Sequence, residues 1–548
     1  MPTTSIEDIT AATAGQTAPG RFLDLVSDHP TAPALHSMGG IEKGGWTMWT
    51  YERYAERVAQ AAAGLRAVGL EAGERLMLMM GNRPDFHWLD LAAQFVRVTP
   101  VSIYNSSSPE EIQFLVHHAE ARVAIVEDAR FLHVLISLRH QLPLLEKIYV
   151  LDPPFEALPD GVFPARDLFG HGRLDLAALA DEVDPTDIAT LIYTSGTTGP
   201  PKAVMISQSN VVYTVEQLRR CIDLDEPVGQ RVVSYLPMAH IAERMTSHYQ
   251  AMILGFDVHC CPDLSLLAPC LREVRPHVLF GVPRVWEKLQ SGVRAALAGS
   301  PERHTLFEQA ISDALTIKAA ERAGTATDHQ RARWHQLDRM VFAGVRAMLG
   351  LDALGVAITG AAPISQTVLE WFEAIGVPLS EIYGMSESSG PMTWDPHRNK
   401  PGYVGRAIPG CEVRIAADGE VCCRGGNVFQ GYFKQPQTTA ETLVDGWLHS
   451  GDIGELDHEG YLRIVDRKKE LIITSGGKNI SPANLEAALK MIPIVGQACA
   501  VGDNRPFVSA LVVLDPEVTP VWARSKEIEF HDLTDLATNP EVLDEIQR

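Results

Sequence analysis

No apolar run among the 548 residues approaches the roughly 20 needed to cross a bilayer. The opening MPTTSIEDIT has neither the basic start nor the apolar stretch of a secretory leader. A cytoplasmic chain is therefore expected. Positive charge is in short supply: 47 Lys plus Arg stand against 69 Asp plus Glu, a net −22. Such a field repels nucleic acid and anionic headgroups at long range, so a polyanionic substrate has to meet locally placed cations. The eight cysteines include two adjacent pairs, Cys260 with Cys261 and Cys422 with Cys423, but no CxxC. That excludes a thiolate zinc motif and a disulfide scaffold, and the thiols read as reduced. Internal repeats and low-complexity segments are also missing. What is present is a globular composition, 46% hydrophobic and 21% charged. The length exceeds one ordinary core, so at least two folding units are expected.

The first third alternates helix and strand signals. Tyr54, Val58, Ala62, Leu65 and Val68 recur at helical spacing and stop at Gly69, after which Arg75 to Met80 reads as a buried strand. Ser108, Pro109 and Glu111 supply an N-cap, a first-turn proline and a capping-box acid for a helix through His117. Apolar runs at Val123 to Val126, Ile148 to Leu151 and Ile188 to Tyr193 continue the rhythm of an α/β domain with a largely parallel sheet. Pro301 to Leu349 is charged and Ala-rich, as surface helices covering a sheet are. From about Val413 the pattern becomes strand-rich with Gly and Asp turns, which predicts a smaller β-rich portion.

Chemistry enters where IATLIY runs into Thr194, Ser195, Gly196, Thr197, Thr198, Gly199, Pro200, Pro201 and Lys202. Glycines let backbone N–H groups approach a polyphosphate without Cβ obstruction, the hydroxyls donate, and Lys202 brings charge. The loop is not the GxxxxGK[ST] phosphate loop, since Ala203 follows Lys202. YTSGTTGPPK instead resembles the signature of the adenylate-forming superfamily of acyl-CoA synthetases, luciferases and peptide-synthetase adenylation domains, with Ala203 where Gly is usual.

The resemblance extends in order along the chain. ITGAAPIS, with Gly360, Ala361, Ala362 and Pro363, is similar to the family's adenine-side segment, and EIYGMSE, with Tyr383, Gly384, Ser386 and Glu387, to the segment that follows it. The resemblance implies that Tyr383 stacks on adenine and that Glu387, with Thr194, holds a Mg²⁺ on the phosphates of ATP. A carboxylate is the hard oxygen ligand that ion prefers. Asp452 of GWLHSGD is expected on the ribose hydroxyls, Arg467 of DRKKE on ribose or phosphate, and Lys469 at the pivot between domains. Lys202, Glu387, Arg467 and His240 are the candidate catalytic residues. YLPMAHIAERM and RPHVLFGVPRVWEKL resemble long-chain acyl-CoA synthetases in particular, which implies His240 near an acyl carboxylate. No Asp stands in LPMAHIAER to pair an amino group, and an unpaired ammonium in an apolar pocket is costly, so an amino-acid substrate is disfavoured. TSGGKNISPANLE resembles the loop lining the thiol path of CoA-forming members, with Gly476 and Gly477 beside the pantetheine arm of CoA.

The expected architecture is a large α/β N-terminal domain with a β-rich portion, residues 1–465, followed by a small α+β domain, residues 466–548. That small domain reads as truncated. The family's C-terminal lysine turn has no counterpart, since only Lys490 and Lys526 follow Lys478, and the chain ends inside a helix capped by Asn539 and Pro540. Three functions stay open on this reading. One is a fatty-acid:CoA ligase working through an acyl-adenylate, another an impaired nucleotide- and acyl-binding protein, and the third an acyl-AMP ligase loading a carrier protein. Peripheral membrane contact for substrate and a homodimer belong to the same set of expectations.

Overall fold

The computed structural model describes residues 4–39, 45–154, 157–194, 200–222, 226–297, 299–469, 472–473, 479–490, 492–503, 505 and 507–547. The strands predicted at residues 75–80, 123–126, 148–151 and 188–193 all fall in one largely parallel sheet of eight strands, and the chain forms a second sheet of seven. In the eight-stranded sheet, strands Arg75–Met79, Thr99–Ser102, Val123–Val126, Lys147–Val150, Val162–Pro164 and Ile188–Thr194 run parallel, and Lys202–Ser207 and Gly431–Tyr432 add antiparallel at one edge. The seven-stranded sheet has the order Leu379–Glu381, Val356–Thr359, Val278–Gly281, Arg231–Ser234, Asp257–Cys260, Pro33–Met38, Trp46–Thr50, and only the last runs antiparallel.

Local signals formed the elements they predicted. Ser108 and Glu111 exchange the two hydrogen bonds of a capping box at the start of helix Pro109–Ala119, and Gly69 takes the left-handed conformation (φ 86°) just after helix Tyr51–Ala67. The 301–349 region is helical, and Phe307, Ala310, Ile311 and Ala314 are buried with Trp371 and Phe372 on one side of the seven-stranded sheet. Beyond Cys411, strands Cys411–Ile415, Glu420–Gly425, Leu443–Val444, Trp447–Leu456 and Leu462–Arg467 form an antiparallel sheet, the expected β-rich portion. Further on, Ile494, Leu514, Ala523, Leu536 and Val542 bury one another in a separate core. Among the described residues no helix is long and apolar enough to cross a membrane.

The two sheets are tied together by buried charge. Arg244 is fully buried, 2.7 Å from the equally buried Asp90 of helix Pro84–Phe95. The nitrogen that faces Asp90, Nη2, also donates to Ser102 Oγ on the eight-stranded sheet (2.8 Å), while Nη1 donates to Tyr249 Oη (3.1 Å) and Nε to the Met238 carbonyl (3.0 Å). Burial alone would raise the Asp90 pKa, but Arg244 and His248 overcome it and hold the carboxyl at about 2.

The acid immediately before Arg244 in the chain behaves oppositely. Glu243 accepts from Ser247 (2.6 Å), Ser234 (2.7 Å) and the Leu236 amide (3.3 Å) but has no cation, and burial pushes its carboxyl from 4.5 up to about 7. A pKa raised on folding contributes stability that is whole below the unfolded value and gone once pH has risen through the folded one. Relative to Glu243→Gln, which stays neutral, the wild-type protein should lose on the order of 3 kcal/mol between pH 5 and pH 8. Denaturant unfolding of both proteins at the two pH values measures this, and parallel pH dependences would contradict a neutral buried Glu243.

Candidate active site

A cavity of about 1070 Å³ is lined by the edge of the eight-stranded sheet, the end of the seven-stranded one and the antiparallel sheet. Thr194 and Lys202 face it from the paired ends of a β-hairpin, in direct register with each other. The hydroxyl and glycine residues between them, Ser195, Gly196, Thr197, Thr198 and Gly199, lie outside the described residues, as do Gly476 and Gly477. The hairpin itself explains how a strand end delivers that loop and the Lys202 side chain to one place.

The segment after strand Val356–Thr359 forms the next wall. Ala361 lines the cavity with φ 67°, a left-handed conformation that costs an alanine about 1 kcal/mol. Gly360 is buried behind it, where an added Cβ would meet the Ile382 carbonyl oxygen at 2.9 Å, while Ala362 and Pro363 are exposed and do not line the cavity. Tyr383, Gly384, Ser386 and Glu387 all line it. Gly384 is fixed by close approach, since a Cβ there would stand 1.9 Å from the Gly390 carbonyl oxygen on the paired strand.

Three predicted residues are joined through one carboxylate. Tyr383 donates its hydroxyl to Asp452 Oδ2 at 2.5 Å, and Arg467 Nε lies 2.9 Å from Asp452 Oδ1. Asp452 and Arg467 are opposite one another in adjacent strands, so the pairing follows from the register. Burial raises the Asp452 pKa and Arg467 works against that shift. Each oxygen still has a lone pair for a further donor.

Sequence reading missed Tyr432, whose hydroxyl donates to Glu387 Oε1 at 2.7 Å while its ring lies 4.9 Å from the Lys202 ammonium. Burial, with the Glu387 charge adding to it, keeps that phenol protonated well above its ordinary range. Tyr432 sits on the short strand paired to the Lys202 strand. No motif announced it, because the contact depends on residues 45 positions apart coming together. Also missed was the anchoring of the DRKKE segment. Lys468 is 2.6 Å from Asp418 and 3.2 Å from Glu420, and Glu420 also accepts from the Gly451 amide at 2.8 Å. Lys469 lines the cavity beside them.

His240 lies on the cavity wall as the N-cap of a short turn, accepting the Ala242 amide on Nδ1 at 3.1 Å. Burial lowers its pKa, so the ring is neutral and its proton resides on Nε2. Around it the lining is apolar: Leu218, Ile222, Ile241, Met245, Val278, Phe280 and Ile358. The acids that line the cavity, Glu387, Asp418, Glu420 and Glu441, belong to other segments. One chamber therefore offers a cation and hydroxyls, a tyrosine beside a buried carboxylate, and an apolar wall with a single neutral imidazole.

Residues 23–433 match the AMP-binding enzyme family, and residues 469–533 match the AMP-binding enzyme C-terminal domain. The chain belongs to the AMP-binding enzyme family. It is 35% identical over 512 residues to the long-chain-fatty-acid–CoA ligase FadD15 of Mycobacterium bovis, covering 92% of this chain and 83% of that one. It is also 35% identical to the long-chain-fatty-acid–CoA ligase ACSBG2 of Xenopus laevis over 511 residues, 90% and 68% of the two chains. Among solved structures, the anthranilate CoA ligase AuaEII in complex with anthranoyl-AMP superposes with a TM-score of 0.73 at 18% identity, over 94% of this chain and 90% of that one, which shows a shared fold. Shortening of the small domain is not supported. The C-terminal domain of this AMP-binding enzyme is recognisable, and its elements close a core to which the final helix, Pro540–Gln547, contributes the fully buried Val542.

The close approach at Gly384 gives a direct test. Gly384→Ala must displace the backbone of Gly390 and should cost about 2 kcal/mol or more in denaturant unfolding. Gly292→Ala, in the middle of helix Pro283–Leu297 with nothing near the new methyl, should instead gain roughly 0.5–1 kcal/mol. Equal midpoints for the two variants would show that the Gly384 strand pairing is not rigid.

Proposed function

We propose that the protein activates a medium- to long-chain fatty acid with ATP and passes the acyl group to CoA. The reading is supported chiefly by the single cavity in which the Tyr383–Asp452–Arg467 group and Lys202 stand beside an apolar wall. Membership of the AMP-binding enzyme family and the long-chain ligase relatives agree with it. In the first step a carboxylate oxygen attacks the α-phosphorus of ATP, a P–O bond forms, and the bond to the β-phosphate breaks to release pyrophosphate. In the second, the CoA thiolate sulfur attacks the acyl carbon, and the C–O bond to AMP breaks.

In this reading Tyr383 packs on the adenine, Asp452 accepts the ribose hydroxyls, and Arg467 meets ribose or phosphate. Lys202 and the hydroxyl loop 194–199 take the triphosphate, and Gly476 and Gly477 flank the CoA arm. Positioning and charge neutralisation carry most of such a displacement. Glu387 and Thr194 suit Mg²⁺: the Glu387 carboxylate receives one donor, Tyr432, and keeps lone pairs for a hard cation. The ion would neutralise phosphate charge. The neutral His240 ring turns a donor rather than a charge toward the acyl carboxylate, and the apolar lining around it disfavours an ammonium-bearing substrate. The domain division proposed is 1–465 and 466–548, with Lys469 at the pivot and rotation of the small domain between the two steps.

A panel of fatty, aromatic and amino acids scored for AMP release with and without CoA tests the assignment. Palmitate-like acids should release AMP in a CoA-dependent way, and an amino acid should not. AMP release that a loaded carrier protein stimulates and CoA does not would replace the acceptor. Absence of any ATP–pyrophosphate exchange would remove the ligase reading altogether. Tyr432→Phe, which takes away the donor that orients Glu387, should lower the exchange rate about tenfold. Asp452→Ala should weaken ATP binding by a comparable or larger factor.

A further inference from the structure

Away from the cavity, three metal-ligating side chains converge on the seven-stranded sheet and serve no part of the reaction above. Asp257 and His259 stand two residues apart in strand Asp257–Cys260 and so project from the same face. His36, in the adjacent parallel strand Pro33–Met38, is in register with His259. The ligand atoms of the three all lie within 4.8 Å of one another. Donors at i and i+2 of one strand with a third from its neighbour give a facial set of three.

The contacts within the set do not resolve into ordinary hydrogen bonds. His36 Nε2 comes within 2.7 Å of Asp257 Oδ1, yet neither atom has an aligned hydrogen-bond partner, and His36 Nδ1 and His259 Nδ1 are likewise buried without one. His259 Nε2 reaches Asp257 Oδ2 at 3.4 Å. The side chains of Asp257 and His259 are each 9% exposed, and the two imidazoles stack in parallel, 4.0 Å apart. Trp46 meets His259 edge-on at 4.9 Å and shields the group. Arg231, opposite Asp257 in the next strand, turns its guanidinium away to the carbonyls of Val274 and Arg275 at 2.8 Å. One carboxylate thus faces two stacked rings, with lone pairs converging where aligned protons are missing.

We infer that His36, Asp257 and His259 bind a divalent transition cation of the Zn²⁺ type, which clips the Pro33–Met38 strand to the Asp257–Cys260 strand. Two imidazole nitrogens and one carboxylate oxygen are a common N₂O set for that ion. A Zn²⁺ 2.0–2.1 Å from each donor needs donors about 3.3 Å apart, and the observed pairs at 2.7 and 3.4 Å bracket that spacing within a small side-chain rotation. With neutral rings the set carries one negative charge, which the cation compensates.

Chelator-stripped full-length protein titrated with Co²⁺ and Zn²⁺ tests the inference without reference to ligase activity. One Co²⁺ per chain should bind, with visible ligand-field bands and no thiolate charge-transfer band, which separates this site from the exposed Cys499. Affinity should fall at least about tenfold in His36→Gln and in His259→Gln, and Zn²⁺ should raise the melting temperature of the wild-type protein alone. X-ray absorption on the Zn²⁺-loaded wild-type protein should count two imidazoles, a readout independent of how the variants fold. Wild-type and variant proteins binding alike, no saturable site, or fewer than two imidazoles would each overturn the site.

Discussion

The ion pair between Asp90 and Arg244, closed off from water on every side, is the contact on which the catalytic half of the molecule depends. Removing one partner of such a pair leaves a stranded charge and costs about 3–5 kcal/mol, whereas an intact pair yields little net stability. Its value here lies in what it fixes. Arg244 spans from Ser102 on one sheet to the Met238 carbonyl in the loop carrying His240, so the spacing between the sheets and the seating of that loop are set by the same guanidinium. The six residues Arg244–Tyr249 form a π-helical turn, whose extra residue per turn changes the angle at which Met245 and Thr246 meet the cavity. An apolar pair in place of Asp90 and Arg244 could fill the volume but could not hold three elements in register by direction.

Much of this architecture was legible where the responsible forces are local. The capping box at Ser108 and the left-handed stop at Gly69 act within one turn of helix, and a chain that carries them declares the element they bound. The hydroxyl and glycine residues between Thr194 and Lys202 lie outside the described residues, but the hairpin strands on either side of them are present. Long-range geometry was not legible. Asp90 reads as a polar position on a helix and Arg244 as one cation in HIAERM; nothing local says that residues 154 positions apart neutralise each other. The same holds for Tyr432, and for the strained Ala361, whose left-handed backbone is imposed by the buried Gly360 behind it and by the strand it follows. The second, seven-stranded sheet was not announced, because strand alternation records order along the chain and is blind to which sheet a strand joins.

The cavity's charges explain how a protein of net −22 can attract a polyphosphate. Lys468 is neutralised by Asp418 and Glu420, and Arg467 by Asp452. That leaves Lys202 and Lys469 as the cavity lysines without a carboxylate partner among the described residues. They belong to different parts of the fold, one at the mouth of the phosphate hairpin and the other beside the small domain. In the function proposed, a nucleotide would supply the counter-charge both lack, and its arrival would favour arrangements that bring the two cations toward one anion. Arg467 faces a related choice, because a phosphate within reach competes with Asp452 for the same guanidinium. The planar fork of an arginine can engage two oxygens at once, so Arg467 can shift partners without losing its charge pairing, which a lysine ammonium at that position would do less well. On that proposal, substrate occupancy and the position of the small domain would be linked by the same few charges, with no contact needed beyond those that already line the cavity.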